Sequence, residues 1–288
     1  MQRVLSTYRY VNQPLSSALL AQLADAGISS IEVFCAPGHF NYTAPEAVRA
    51  FGDMLGEHHL ELHSLHAPTE RGSSAGRHSG FPISISDTER IRRLDAVDEI
   101  KRALETAERI PFRYLVQHLG QGRQAADPRK LDAAFSSLEN LAVFAKARGV
   151  TIAIENTTDE LSSPASLMRF LSDTHLHDLR LCFDIGHAHI EDGVGVSLET
   201  MFDRVATTHI HDNHGEKDEH LLPYDGTIDW DSALGALAKA PEPLPLVLEL
   251  KEQAATMPTL DQVRAAFDRL EEGMEANSPR AAKSQRAK

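Results

Sequence analysis

Cysteine is scarce in this chain: only Cys35 and Cys182 occur in 288 residues. They lie far apart, each in or beside a strand-like segment, so a disulfide framework is not indicated and two packed free thiols are expected. That fits a reducing cytoplasm, the expected location. Long apolar runs are also missing. No stretch approaches the ~18 residues a membrane span needs, and the opening MQRVLSTYRY lacks the apolar centre of a secretory signal. Positive charge is short as well, with 29 Lys and Arg against 42 Asp and Glu and a formal net charge of −13. Such a surface repels nucleic acid and anionic lipid unless a local basic face overrides it. The basic stretch that does occur, SPRAAKSQRAK, has no apolar period that would offset its ordering entropy, so residues 277–288 are expected to form a disordered tail.

What is present is rhythm. Strand-like segments at 4–8, 31–34, 60–66, 112–118, 150–156, 179–184, 205–211 and 244–250 alternate with helical patterns. The helices are expected at 15–26, 45–58, 87–109, 128–148, 164–173, 198–202, 229–240 and 260–274. Gly27 and Gly149 stand where two of them should stop, and Asp127 where one should start. Residues 67–87, rich in Gly and Ser, read as one long connection, a common place for a functional loop. Eight strands, each followed by a helix, favour a closed parallel barrel, a single-domain (β/α)₈ fold over residues 1–276. A doubly wound open sheet is the alternative, but it rarely uses so many equal units.

Barrels of this kind place their chemistry at the carboxyl ends of the strands. Those ends carry His63 and His66 (strand 3), Gln117 and His118 (strand 4), Glu155 and Asn156 (strand 5), Asp184 and His187 (strand 6), His209, His211 and Asp212 (strand 7), and Glu249 (strand 8). Acidic and imidazole groups thus gather at one edge. Three carboxylates converging on a low-dielectric mouth repel each other, and burying each costs several kcal/mol unless it is paired or metal-bound. A divalent cation held by Glu155, Asp184, His211 and Glu249 is the simplest resolution. The mixed oxygen and nitrogen donors suit Mn²⁺, Co²⁺, Mg²⁺ or Zn²⁺. His66, His118, His187, Asp218 and His220 are candidates for further metal or substrate contacts.

Each residue also has a plainer reading. Glu155 would serve in a structural ion pair, Asp184 as a helix N-cap, and Glu249 as an exposed residue on a polar strand face. His66 and His118 would be satisfied barrel histidines, Asp218 and His220 parts of a solvated loop, and Lys217 a surface charge. Cys182 and Trp230 read as packing residues.

His66-Ala-Pro, Ile154-Glu155-Asn156, Phe183-Asp184-Ile-Gly-His187, and the run from His209-Ile-His211-Asp212 through Asp218-Glu-His220 to Gly226-Thr-Ile-Asp229-Trp230, completed by Glu249, resemble the xylose-isomerase-like barrel superfamily. That superfamily includes sugar isomerases, sugar epimerases and endonuclease IV, and the likeness spans about residues 1–275. It implies that Glu155, Asp184, His211 and Glu249 form the shared metal quartet. It matches His66, His118, His187, Asp218 and His220 to the extra zinc ligands of the endonuclease branch. The implied activity is isomerisation or epimerisation of a keto-sugar or polyol-derived substrate through an ene-diolate, with Glu155 and Glu249 as base and acid. His187, His209 and Lys217 are the candidate substrate contacts. An endonuclease IV-like zinc phosphodiesterase and a lyase or dehydratase remain alternatives. The acidic balance and Glu70 favour a small sugar partner over nucleic acid. Related barrels form dimers or tetramers, so a homo-oligomer is open.

Overall fold

The computed structural model describes residues 1–71, 81–120, 125–240, 242–251 and 257–277. Eight parallel strands follow one another around the barrel: β1 (Arg3–Ser6), β2 (Ser30–Phe34), β3 (Glu61–His66), β4 (Tyr114–Gln117), β5 (Thr151–Glu155), β6 (Arg180–Asp184), β7 (Val205–His209) and β8 (Leu246–Leu248). β8 pairs with β1. A bridge between Ile210 and Leu248 then brings β7 against β8, so the circle is nearly closed. This is the (β/α)₈ barrel expected from the alternation.

The helices are α1 (Ser17–Asp25), α2 (Pro45–Glu57), α3 (Arg90–Leu104), α4 (Pro128–Lys146), α5 (Pro164–Thr174), α6 (Ile185–Ile190), α7 (Val194–Met201), α8 (Trp230–Leu237) and α9 (Leu260–Ala276). Local chemistry sets their ends. Proline occupies the first turn of α2, α4 and α5, where its missing N–H is not needed. Asp127 accepts from the Arg129 N–H to start α4, and Thr259 and Gln262 form a reciprocal capping box at α9. Gly27 and Gly149, at φ 81° and 74°, take the left-handed turn that ends α1 and α4.

Several local details differ from expectation. The first strand stops at Ser6, because Thr7–Tyr10 coil into a 3₁₀ turn capped by the Ser6 hydroxyl. Glu70–Arg71 and Phe81–Pro82 pair as a short antiparallel ribbon within the long connection. An additional helix, α6, begins at Ile185 with Asp184 as its N-cap, and α7 is longer than the 198–202 segment expected there. The proposed tail falls, apart from Asn277, outside the described residues, as do residues 72–80 of the connection.

Two apolar regions hold the barrel. The larger lies between sheet and helices, with Phe51, Phe183, Phe267, Leu20 and Leu104 fully enclosed. The smaller is a plug inside the barrel made by Tyr114, Val116, Ala153 and Cys182. Alternation along the strands explains what stands above it: one step on from Ala153 and Cys182, at i+2 on the inward face, are Glu155 and Asp184. Both cysteines are buried and unpaired, as expected. No helix among the described residues is long and apolar enough to cross a membrane.

His39 ties the 3₁₀ turn to the end of β2. Its Nδ1–H donates to the Gln13 carbonyl at 2.6 Å, and its Nε2 accepts from the Thr7 hydroxyl at 2.9 Å. Burial pushes its pKa down to about 4. The ring is therefore neutral in the fold, while in the unfolded chain it protonates near pH 6.5. A folded pKa below the unfolded one means the contribution is complete above pH 6.5 and is lost as pH falls towards 4. The loss amounts to about 3 kcal/mol at the acid end. Urea unfolding measured between pH 7 and 4 should show this slope, and His39→Gln should flatten it; an unchanged slope would refute the assignment.

Candidate metal centre

Glu155, Asp184, His209 and Glu249 converge above the apolar plug, with donor atoms all within 4.8 Å of one another and every residue buried. Glu155 ends β5, Asp184 ends β6, His209 ends β7, and Glu249 follows β8 directly. His209 Nδ1 lies 3.0 Å from Glu155 Oε1, 3.4 Å from Glu249 Oε2 and 3.8 Å from Asp184 Oδ2. Two further groups flank this one. His66 and His118 share Glu155 on one side, and His211, Asp218 and His220 form the other.

The sequence expectation placed His211 in the inner group. His211 is fully buried, but it lies one inward step further out, past the end of β7. Its Nε2 is 3.1 Å from Asp184 Oδ2 and 3.8 Å from Asp218 Oδ1. Its ring stacks on His220 at 4.0 Å. His209, expected as a substrate contact, takes the inner place instead. Residues i and i+2 of a strand point the same way, so the spacing His-Ile-His cannot choose between them.

Hydrogen bonds fix how several rings face. His66, His187 and His220 each present Nδ1 to a backbone carbonyl: Ala67 at 2.9 Å, Asn156 at 2.9 Å and Glu249 at 3.0 Å. A carbonyl only accepts, so Nδ1 carries the proton and the Nε2 lone pair of a neutral ring faces the site. There each Nε2 meets a carboxylate: His66 faces Glu155 at 3.5 Å, and His187 and His220 face Asp218 at 3.3 and 2.9 Å. A lone pair pointed at a carboxylate is repulsive unless a proton or a cation lies between them. His118 Nε2 is likewise 3.0 Å from Glu155 Oε2. His211 Nδ1 is buried with no hydrogen-bond partner among the described residues. Buried carboxylates, inward-facing imidazole nitrogens and ring tautomers held by outer carbonyls are the donor set that divalent cations take. The residues fit such ions.

The electrostatics agree. Burial alone would push Glu155 up, but His209 and His118 outweigh it and hold the carboxyl well below the usual range. Glu249 goes the other way: burial lifts it well above the usual range, and Glu155, Glu32 and Asp184 add repulsion that His209 does not cancel. Burial opposes charge on His209 and His187 too, yet the surrounding acids raise both well above an ordinary imidazole.

Asp184 is the N-cap of α6, as its plainer reading expected, and it also faces the inner group. Its Oδ1 caps α6 by accepting the His187 N–H at 2.7 Å, while Oδ2 stays on the site. Asn156 clamps the neighbouring strand ends, donating to the Asp184 carbonyl and accepting from its N–H. Asp212 organises the loop beyond β7, accepting from the Asn213, Tyr224 and Ile228 N–H groups and from the Trp230 indole. Trp230 itself is buried packing, as expected. Lys217 is exposed on that loop, where its charge acts on Glu219. Its neighbour Asp218 keeps 37% side-chain exposure although it touches three histidines.

Sequence reasoning missed Glu32. This wholly buried carboxylate on β2 lies behind His209. The cue available was a lone acid inside the apolar run SIEVF. Tyr8 and Phe34 were missed as well. Tyr8 lies 5.3 Å from the His220 ring, and Phe34 stacks on His66 at 4.4 Å, so together they form an aromatic wall.

Gly186 shows how tight the packing is. A Cβ at this position would overlap the His211 ring. Gly186→Ala should displace His211 and, through Asp184, disturb the inner group. The expected result is a folded protein with at least a roughly tenfold weaker hold on divalent cations, read by calorimetric titration. Unchanged affinity would show that His211 can move freely.

The family model for xylose isomerase-like TIM barrels matches residues 20–273. The chain is 30% identical over 216 residues to the uncharacterized protein y4fM of Sinorhizobium fredii, covering 68% of each chain. It is 24% identical over 196 residues to a probable endonuclease 4 of Haloquadratum walsbyi, covering 60% of this chain and 68% of the relative. A solved structure of L-ribulose 3-epimerase superposes with a TM-score of 0.79 at 18% identity, covering 98% of this chain and 97% of the other. With nearly its whole barrel matched, from α1 to the last turn of α9, the chain belongs to the xylose isomerase-like TIM barrel family.

Proposed function

We propose that this protein is a divalent-metal-dependent isomerase or epimerase acting on a keto-sugar or polyol-derived substrate. The observation that carries the reading is the pair Glu155 and Glu249. They come from different strands and approach the same ring nitrogen at 3.0 and 3.4 Å. Without a cation, His209 and His118 hold Glu155 towards carboxylate against its burial, while burial and neighbouring acids push Glu249 towards carboxylic acid. Two carboxyl groups facing one small site can divide the work of a proton transfer. Glu155 takes a proton from the carbon beside the substrate carbonyl, and Glu249 delivers one to complete the isomer or epimer. Glu155, Asp184, His209 and Glu249 would hold the cation, with His211 in the outer group. When bound, a divalent ion would polarise the carbonyl and lower the cost of the ene-diolate. Tyr8, Phe34 and His187 would line the substrate's approach. The fold shared with L-ribulose 3-epimerase supports sugar chemistry by analogy.

A second reading, a zinc phosphodiesterase, is favoured by one specific observation: the two flanking groups supply donors for additional ions. The likeness to a probable endonuclease 4 supports it too. The net charge of −13 weighs against an anionic duplex as substrate.

One experiment separates the two. Protein loaded with Mn²⁺, Co²⁺ or Zn²⁺ is incubated with a panel of ketoses in deuterated water, and in parallel with DNA containing an abasic site. Deuterium appearing at the carbon beside the carbonyl supports the isomerase. Strand cleavage without exchange into any ketose would overturn it in favour of the phosphodiesterase.

A further inference from the structure

His209 differs from the other three rings whose orientation is fixed. His66, His187 and His220 turn Nδ1 outward to a carbonyl and Nε2 inward, whereas His209 turns Nδ1 inward. Among the described residues no backbone carbonyl bonds its Nε2. Its Nε2 instead meets Glu32, at 3.2 Å from Oε1 and 3.3 Å from Oε2. The Oε2 atom also accepts the Ser64 hydroxyl at 2.8 Å. Glu32, Ser64 and His209 are all fully buried, on β2, β3 and β7. Ser64 is the direct cross-strand partner of Glu32, so the ladder register itself places the hydroxyl.

We infer that Glu32, held by Ser64, is a positioning residue for the metal centre: it keeps the His209 proton on Nε2 and so presents the Nδ1 lone pair to the cation shared by Glu155, Asp184 and Glu249. This rests on the metal-dependent reading above. The physical basis is simple. A neutral imidazole has one N–H and one lone pair, and whatever accepts the N–H decides which nitrogen is free. A carboxylate behind the ring also makes it a stronger donor to a metal, and loss of such outer partners typically weakens metal binding by roughly 10- to 100-fold. The arrangement also accounts for a buried acid that is otherwise costly to keep on a barrel interior.

Calorimetric titration of the chelator-stripped full chain with Mn²⁺ and Co²⁺ tests the inference. Glu32→Gln should weaken binding roughly tenfold, since an amide oxygen still accepts the N–H, and Glu32→Ala by nearer 100-fold. Ser64→Ala should cost less than either. A second measurement needs no variant at Glu32. Two-bond proton–nitrogen correlation spectra of zinc-loaded protein labelled at histidine, with His209 assigned by loss of its signals in His209→Asn, should show His209 protonated on Nε2. Protonation on Nδ1, or a folded Glu32→Ala protein binding within twofold of wild type, would overturn the role of Glu32 alone. Glu32-dependent binding with no exchange into any ketose would overturn the isomerase reading and leave this inference standing. A wild-type chain that binds no divalent cation would overturn both.

Discussion

Glu155→Gln and Glu249→Gln should each lower kcat for ketose exchange by roughly 10²- to 10⁴-fold, the contribution of a positioned acid or base. Glutamine keeps the volume and removes the ability to move a proton. The two variants should part company in stability, and this makes the pair diagnostic. Glu155 is held well below its ordinary pKa by His209 and His118 once burial is offset, so its ionised form stabilises the fold above the unfolded carboxyl pKa. Removing it leaves the His66 and His118 Nε2 atoms without their carboxylate, and melting in chelator should fall. Glu249 has a raised pKa from burial and from three neighbouring acids, so at neutral pH its ionisation opposes folding. Glu249→Gln should therefore raise the melting temperature of the stripped protein. Equal turnover in wild type and both variants would remove these carboxylates from the chemistry.

Removing divalent cations should abolish turnover and destabilise the fold. Glu155, Asp184 and Glu249 are each almost fully buried in one small volume. The His209 ring that touches all three cannot neutralise them alone. An ion that binds only the folded state adds RT ln(1 + [L]/Kd), about 4 kcal/mol at a thousandfold excess over Kd. In a chain of this length that corresponds to a melting shift on the order of 10 °C. Differential scanning calorimetry with chelator, then with Mn²⁺, Co²⁺ or Zn²⁺ restored, reads the shift and shows which ion recovers it best. Glu249→Gln should have a smaller gap between stripped and loaded forms, since it lacks one repelling acid and one ligand. Identical melting curves with and without chelator would argue that the cluster is held by protons and hydrogen bonds alone.

Much of this was legible from the linear chain because it depends on short periods. Alternating strands and helices announce themselves through repeats of 2 and 3.6 residues, and Gly27, Gly149 and Asp127 mark helix ends through their own backbone and capping chemistry. Once eight βα units imply a barrel, the strand ends become one edge, so Glu155, Asp184, His66 and Glu249 could be placed together before any coordinates. Boundaries were less legible. The 3₁₀ turn at Thr7–Tyr10 and the short helix α6 are too brief to show a period, and the ribbon at Glu70–Arg71 is held by cross-chain pairing.

By itself the sequence determined the barrel, the set of acids and imidazoles at its mouth, and the acidic surface, since each follows from local pattern or composition. Tertiary structure alone decided which imidazole stands innermost, which ring nitrogen faces inward, and that Glu32 and Ser64 stand behind His209. Those choices turn on the layer each side chain occupies and on partners up to 177 residues apart in the chain. No local pattern encodes such distances, because strand register and barrel closure set them only after all eight strands have met.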